Sequence, residues 1–123
     1  MSDVLIDFPK VDFTHEDSRG SLNQLVHDGY KQVNVITSVK GSLRGRHYHR
    51  LNTELFYVIS GKFKLIVWSG NLKEEYLMGP KSFFTIPPNV VHSFEFEEDT
   101  LLVSMYSNGV ELPNGEKDII ASE

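Results

Sequence analysis

"GSLRGRHYHRLNTELFYVISG", residues 41–61, sets two runs of alternating side chains on either side of a short polar break. On an extended chain residues two apart face the same way, so Glu54 shares its side with Phe56 and Val58, while Leu55, Tyr57 and Ile59 take the other. In the first run His47 and His49 share one face and Tyr48 the opposite one. Arg50, Leu51, Asn52 and Thr53 make the break between them. A carboxylate among inward-facing apolar groups is costly unless a metal, an arginine or a proton donor meets it.

The same short alternating or β-branched runs recur outward from this stretch, punctuated by Gly, Pro and Asn, and no helical period competes with them. Strands are predicted at 4–8, 21–26, 32–39, 46–49, 54–60, 62–68, 72–77, 82–86, 92–96 and 101–106. Ser60-Gly61 and Ser69-Gly70-Asn71 read as hairpin turns. Pro87-Pro88 has no N–H for a ladder and belongs in a connection or on an edge. So many short strands in 123 residues predict one all-β domain over residues 1–123, a sandwich or barrel with jelly-roll connections. The polar tail 108–123, with its Pro113-Asn114-Gly115 turn, either crosses to a partner subunit or frays.

His92 follows the stiff "IPPNV" connection of residues 86–90 and opens a run in phase with Phe94 and Phe96. If the sheet closes on itself, His47, His49, Glu54 and His92 can meet inside it. Three imidazoles and a carboxylate suit a divalent metal such as Zn, Mn, Fe, Ni or Cu, and these donors do not choose among them. Phe56, Phe94, Phe96 and Trp68 could stack on a ligand or simply fill the barrel. The acids at Glu95 and Glu97 to Asp99 read as a solvated face.

Composition removes several classes. There is no cysteine, which excludes disulfides, thiolate sites and a thiol nucleophile. No apolar run approaches the roughly 20 residues of a membrane helix, and the N-terminus lacks the pattern of a secretory leader, so no membrane association and a cytoplasmic location are expected. A net charge of −5 argues against general nucleic-acid binding. Yet Lys31, Lys40, Arg44, Arg46 and Arg50 lie between Asp28 and Glu54 with no acid among them. That stretch is either an anion site or a set of charges guarding strand edges.

The spacing Gly41, His47, His49, Glu54, Gly61 resembles the first motif of the cupin family, and Pro87 with His92 resembles the second. Asn89 stands where that motif usually has glycine, Phe96 where it has asparagine, and Gly79 lies two residues early; Asn tolerates the left-handed conformation the turn needs. The resemblance spans about residues 20–106. It implies a double-stranded β-helix (jelly-roll barrel), usually a homodimer, with a pocket in the barrel mouth.

Two further stretches, Asp17-x-Arg19-Gly20 and Arg44-Gly45-x-His47, resemble the nucleotide-sugar cupins of deoxysugar synthesis, the dTDP-4-keto-6-deoxyhexose 3,5-epimerases and dTDP-sugar 3,4-ketoisomerases. This implies that Arg19 and Arg44 contact the substrate's diphosphate, with Arg46 as a third candidate from the basic stretch. The ketoisomerases keep both histidines where the longer epimerases carry glutamine at the second. "HYHRLNTE" (47–54) is also similar to the zinc-holding cupin half of capsule UDP-sugar reductase/epimerases.

The implied activity is isomerisation or epimerisation of a nucleotide-linked 4-keto-6-deoxy sugar by proton abstraction beside the keto group. Histidine, with a pKa of about 6.5, suits the base. His47 or His49 is expected to act so, the other holding orientation, with Tyr106 as the acid. No cofactor is required on this reading, and a metal, if bound, would sit on His47, His49, Glu54 and His92. The alternatives are a metal-binding cupin of another enzymatic or small-molecule-binding class, and a non-catalytic partner domain.

Overall fold

The computed structural model describes residues 4–122, which are built from strands and loops without a helix. The strands are β1 (Phe13–Asp17), β2 (Gly20–Gln24), β3 (Gln32–Ser38), β4 (Leu43–Tyr48), β5 (Glu54–Ser60), β6 (Phe63–Ser69), β7 (Leu72–Met78), β8 (Phe83–Ile86), β9 (Val91–Phe96), β10 (Thr100–Tyr106) and β11 (Ile120–Ala121). All pairings are antiparallel. Apart from the β6–β7 hairpin, successive strands from β3 to β10 alternate between a four-stranded sheet, β3-β10-β5-β8, and a five-stranded sheet, β11-β4-β9-β6-β7. This alternation is the expected double-stranded β-helix.

The core lies between the two sheets. Phe56 and Val58 of β5, Phe63, Leu65 and Val67 of β6, Phe84 and Ile86 of β8, Phe94 and Phe96 of β9 and Leu102 of β10 form it. Each set alternates along its strand, as two-residue periodicity requires. A smaller cluster on the outer face of the four-stranded sheet joins Leu55, Phe83 and Met105 to Val11, Leu25, Val26, Tyr30 and Tyr57. Tyr57 therefore faces away from Glu54, as its phase predicts.

Several sequence expectations need correction. Residues 4–8 make no strand: Asp7 alone bridges Thr85, and Ile6 plugs the core at 1 % exposure. The β1–β2 hairpin starts earlier than the expected run at 21–26 and has its partner in residues 13–17, whose polar side chains hide the pattern. Ser60-Gly61 is not a hairpin turn but the crossing from one sheet to the other, while Gly70-Asn71 does close the β6–β7 hairpin between the paired Ser69 and Leu72. Gly61 has φ +98°, and a Cβ there would lie 2.5 Å from the Asp99 carbonyl oxygen, so the crossing requires glycine. Asn89, at φ +69°, supplies the left-handed turn after Pro87-Pro88, and its N–H donates to the His49 carbonyl at 2.7 Å.

Candidate functional site

A cavity of about 340 Å³ opens between the sheets, lined by Arg44, His47, Glu54, His92, Tyr106 and the aromatic wall of Phe56, Phe94 and Phe96. Register explains how these groups meet. Across β10, β5 and β8, Tyr106 lies opposite Glu54, and Glu54 opposite Ile86. On the facing sheet His92 pairs with His47 on one side and Val67 on the other.

Simple alternation would put Arg44 and His47 on opposite faces of β4. A bulge between Gly45 and His47 prevents this: Phe94 pairs with Arg44 and His92 with His47, so Arg46 is the extra residue, held at φ +58°. Arg44 and His47 consequently both face the cavity. Arg46 is turned to the outer side, with its guanidinium 4.9 Å from the Trp68 ring centroid. Neither Arg46 nor Trp68 lines the cavity, contrary to the sequence expectation for Arg46 as a substrate contact and for Trp68 as a stacking surface. Gly45 permits the close approach of β4 to β9, since a Cβ there would lie 2.7 Å from the His92 carbonyl oxygen.

Three imidazoles converge. The ring centroids of His47 and His92 are 4.6 Å apart, those of His47 and His49 5.2 Å, and those of His49 and His92 5.3 Å. His92 Nδ1 donates to the Val90 carbonyl at 3.0 Å, which leaves Nε2 as the unprotonated nitrogen, buried and without a hydrogen-bond partner. Burial pulls this imidazole down to about 4, so it is neutral at pH 7. His47 is half-buried and also lowered, by burial first and then by the neighbouring His49.

His49 behaves differently. It lies behind the cavity wall with both ring nitrogens engaged: Nδ1 donates to the Asp118 carbonyl at 2.6 Å, and Nε2 meets Glu54 Oε1 at 3.0 Å. Burial disfavours its charge, but the Glu54 and Asp118 hydrogen bonds outweigh that and raise it. Glu54 is correspondingly lowered: burial opposes its charge, and the hydrogen bond to His49, the nearby His92 and the Ser104 hydroxyl, donating at 2.7 Å, prevail. The two form a buried ion pair. Tyr106 lines the cavity with its phenol held well above the ordinary range, by burial first and then by the Glu54 charge, so it stays protonated and can donate.

Candidate nitrogens of His47, His49 and His92 all lie within 4.8 Å of one another. Three imidazoles, one presenting a buried unpartnered Nε2, fit a divalent transition metal. Glu54 stands beside that trio, committed to His49 and Ser104, rather than in it, which narrows the expected four-donor set.

Arg44 sits at the rim, its Nε donating to the Ser38 hydroxyl at 2.7 Å and its terminal nitrogen to the Thr37 carbonyl at 3.0 Å. Arg19 is elsewhere: at the tip of the β1–β2 hairpin, exposed, hydrogen-bonded to Asp17 and outside the cavity of its own chain. Sequence reasoning missed Asp118 and Asn52, buried polar residues that anchor the C-terminal segment beneath His49. An Asp in a polar tail carries no local signal of burial.

Comparison with known proteins agrees with this architecture. A histidine-to-asparagine variant of the 3,4-ketoisomerase QdtA from Thermoanaerobacterium thermosaccharolyticum, in complex with TDP-4-keto-6-deoxyglucose, superposes with a TM-score of 0.79 at 19% identity, covering 98% of this chain and 90% of that one. WlaRA, a TDP-fucose-3,4-ketoisomerase from Campylobacter jejuni, gives 0.77 at 17% identity over 97% and 90%. The capsular polysaccharide assembling protein CapF from Staphylococcus aureus gives 0.66 at 26% identity; 90% of this chain is matched, but it spans only 32% of CapF. No curated protein sequence matches the chain. Residues 15–117 match the family described as the polysaccharide biosynthesis C-terminal domain, and the chain belongs to that family.

Proposed function

We propose that the protein is an isomerase acting on a nucleotide-linked 4-keto-6-deoxy sugar. The observation that carries this reading is the cavity itself: two neutral imidazoles, His47 and His92, face an aromatic wall whose rim holds the Arg44 guanidinium. The sugar enters the cavity and the diphosphate meets Arg44. His47, the more accessible of the two imidazoles, takes the proton from the carbon beside the keto group. The protonated Tyr106 hydroxyl donates a hydrogen bond to the keto oxygen as enolate charge develops there; that oxygen takes up a proton as the adjacent hydroxyl gives one up, and the proton held by His47 returns to the neighbouring carbon, which moves the keto group by one position. His49 is not the base on this reading, since neither of its nitrogens is open; its role is to hold Glu54 in place. The likeness to QdtA, solved with TDP-4-keto-6-deoxyglucose, supports the substrate class.

The enzyme works as a homodimer in the cytoplasm. All ten strand residues of the β1–β2 hairpin are exposed, including Phe13 and Leu22, and β3 exposes Val33 and Val35 at the edge of its sheet. A hairpin packed on none of the other described residues of its own chain is best accounted for by a second copy, whose cavity would receive Arg19. The decisive experiment is incubation with dTDP-4-keto-6-deoxyglucose in D2O: deuterium should appear at C4 of the 3-keto product and, by reversal, at C3 of the recovered substrate. Absence of exchange with this substrate and with its UDP analogue would overturn the proposal.

A second reading rests on the unpartnered His92 Nε2 among the three converging imidazoles. A divalent metal on His47 and His92, with His49 joining only if its Nε2 gave up its proton and the Glu54 contact, would supply Lewis-acid polarisation of a keto oxygen. Elemental analysis of protein purified without a polyhistidine tag decides it: a stoichiometric metal supports this reading, and a metal-free, folded and active protein ends it.

A further inference from the structure

The C-terminal segment neither frays nor leaves the barrel; it folds back across the β4–β5 turn. Asp118 is 3 % exposed. Its Oδ1 accepts the Arg50 N–H at 2.8 Å, and its Oδ2 accepts the Leu51 N–H at 2.9 Å and the Asn52 side-chain amide at 2.8 Å. Asn52, fully buried, locks the start of the same segment: its Oδ1 accepts the N–H groups of Asn108 at 2.8 Å and Gly109 at 2.9 Å. β11 then pairs Ile120 with Tyr48 and Ala121 with His47.

These bonds aim the Asp118 carbonyl at His49 Nδ1, 2.6 Å away. A carbonyl oxygen can only accept, so Nδ1 must carry a proton, and Nε2 is the nitrogen that turns to Glu54. A segment serving stability alone would be satisfied by the three bonds to the Asp118 carboxylate. The buried carbonyl-to-imidazole bond adds a fixed Nδ1 proton and ring plane at a residue that anchors the carboxylate facing the cavity.

We propose that residues 108–122 form a strap that positions the site, with Asp118 as the positioning residue that fixes His49 and, through it, Glu54. The kinetic consequence rests on the isomerase reading; the geometric one does not. The test uses the full chain labelled with 15N, with the His49 imidazole signals assigned by comparison with His49→Gln. In the wild type, His49 Nδ1 should appear protonated and protected from solvent exchange, and an unprotonated Nδ1 would overturn the proposal outright. In Asp118→Ala the Nδ1 proton should exchange at least about tenfold faster. With it, kcat for deuterium incorporation should fall about 10- to 100-fold while KM stays within about threefold, the size of effect that orienting partners have at active-site histidines. Should Asp118→Ala not fold, Asp118→Asn keeps the volume, breaks the acceptor pattern and carries the same readouts. A folded variant with lower thermal stability but unchanged kcat and Nδ1 protection would show the strap to be structural only. If the wild type itself incorporates no deuterium, the isomerase reading fails, while the Nδ1 proton and its protection still decide the role of Asp118.

Discussion

At the scale of single residues, the three histidines and Glu54 around the cavity divide by their partners. His47 and His92 are pushed toward neutrality by burial, whereas His49 and Glu54 hold each other ionised. Replacing His47 with Gln removes the proposed base without emptying a core site, since the ring is only half-buried. We expect deuterium incorporation to drop by roughly 10²- to 10⁴-fold, the usual worth of a positioned base, with the thermal midpoint nearly unchanged. A comparable loss of folding stability would instead mark His47 as a packing residue. His92 makes a different prediction, about pH. The unfolded chain binds the imidazole proton near pH 6.5 and the folded chain only near 4, so the native state is destabilised as pH falls through that window. The full effect is on the order of 3 kcal/mol and is complete below about pH 4. Urea unfolding in chelator at successive pH values should show it in the wild type and a flatter curve in His92→Gln; parallel curves would refute the assignment.

Among the elements, the barrel strands from β3 to β10 were legible because each buries one face, and burial writes a two-residue period into sequence. Elements that bury little are read less well. β1 and β11 show no apolar period of two, β2 is caught only in the run at 21–26, and residues 4–8, which read as a strand, dock through a single bridge. The bulge at Arg46 was unreadable for another reason, since one extra residue changes no composition yet decides that Arg44 and not Arg46 faces the cavity. The pairing of His47 with His49 survived because the bulge precedes both. Motif glycines were legible as positions but not as causes. Gly61 combines a positive φ with backbone on every side: an added Cβ would lie 2.5 Å from both the Asp99 carbonyl oxygen and Thr100 Cα, neither of which can swing aside. Gly61→Ala should therefore cost more than conformational strain alone, roughly 2–4 kcal/mol, because the clash adds to the φ penalty. Chemical denaturation would check this, and a loss below about 1 kcal/mol would mean that the β5–β6 crossing can shift.

For the whole molecule, ligand binding and assembly both bear on the proposed phosphate site. A nucleoside diphosphate that binds only the native state must raise its stability, by about 2.7 kcal/mol at a hundredfold excess over Kd. dTDP should accordingly raise the thermal midpoint, and Arg44→Ala should shrink that shift at equal dTDP concentration; an undiminished shift would remove Arg44 from the phosphate site. Arg19 poses the sharper question, because its hairpin stands clear of its own barrel. If a twofold dimer delivers Arg19 to the partner's cavity, each active site is built from two chains. Arg19→Ala and His47→Gln would then each be defective as homodimers, assayed at limiting substrate. In a mixed dimer, the barrel that keeps His47 receives the intact Arg19 from the other chain, and that site is whole. Random exchange of the two variants makes half of the dimers mixed, with one good site in each, so activity should recover to about a quarter of the wild-type value. If Arg19 served its own barrel, every site in the mixture would lack one group or the other and nothing would recover. Unfolding and refolding the two variants together, with each refolded alone as control, separates the two arrangements in a single assay.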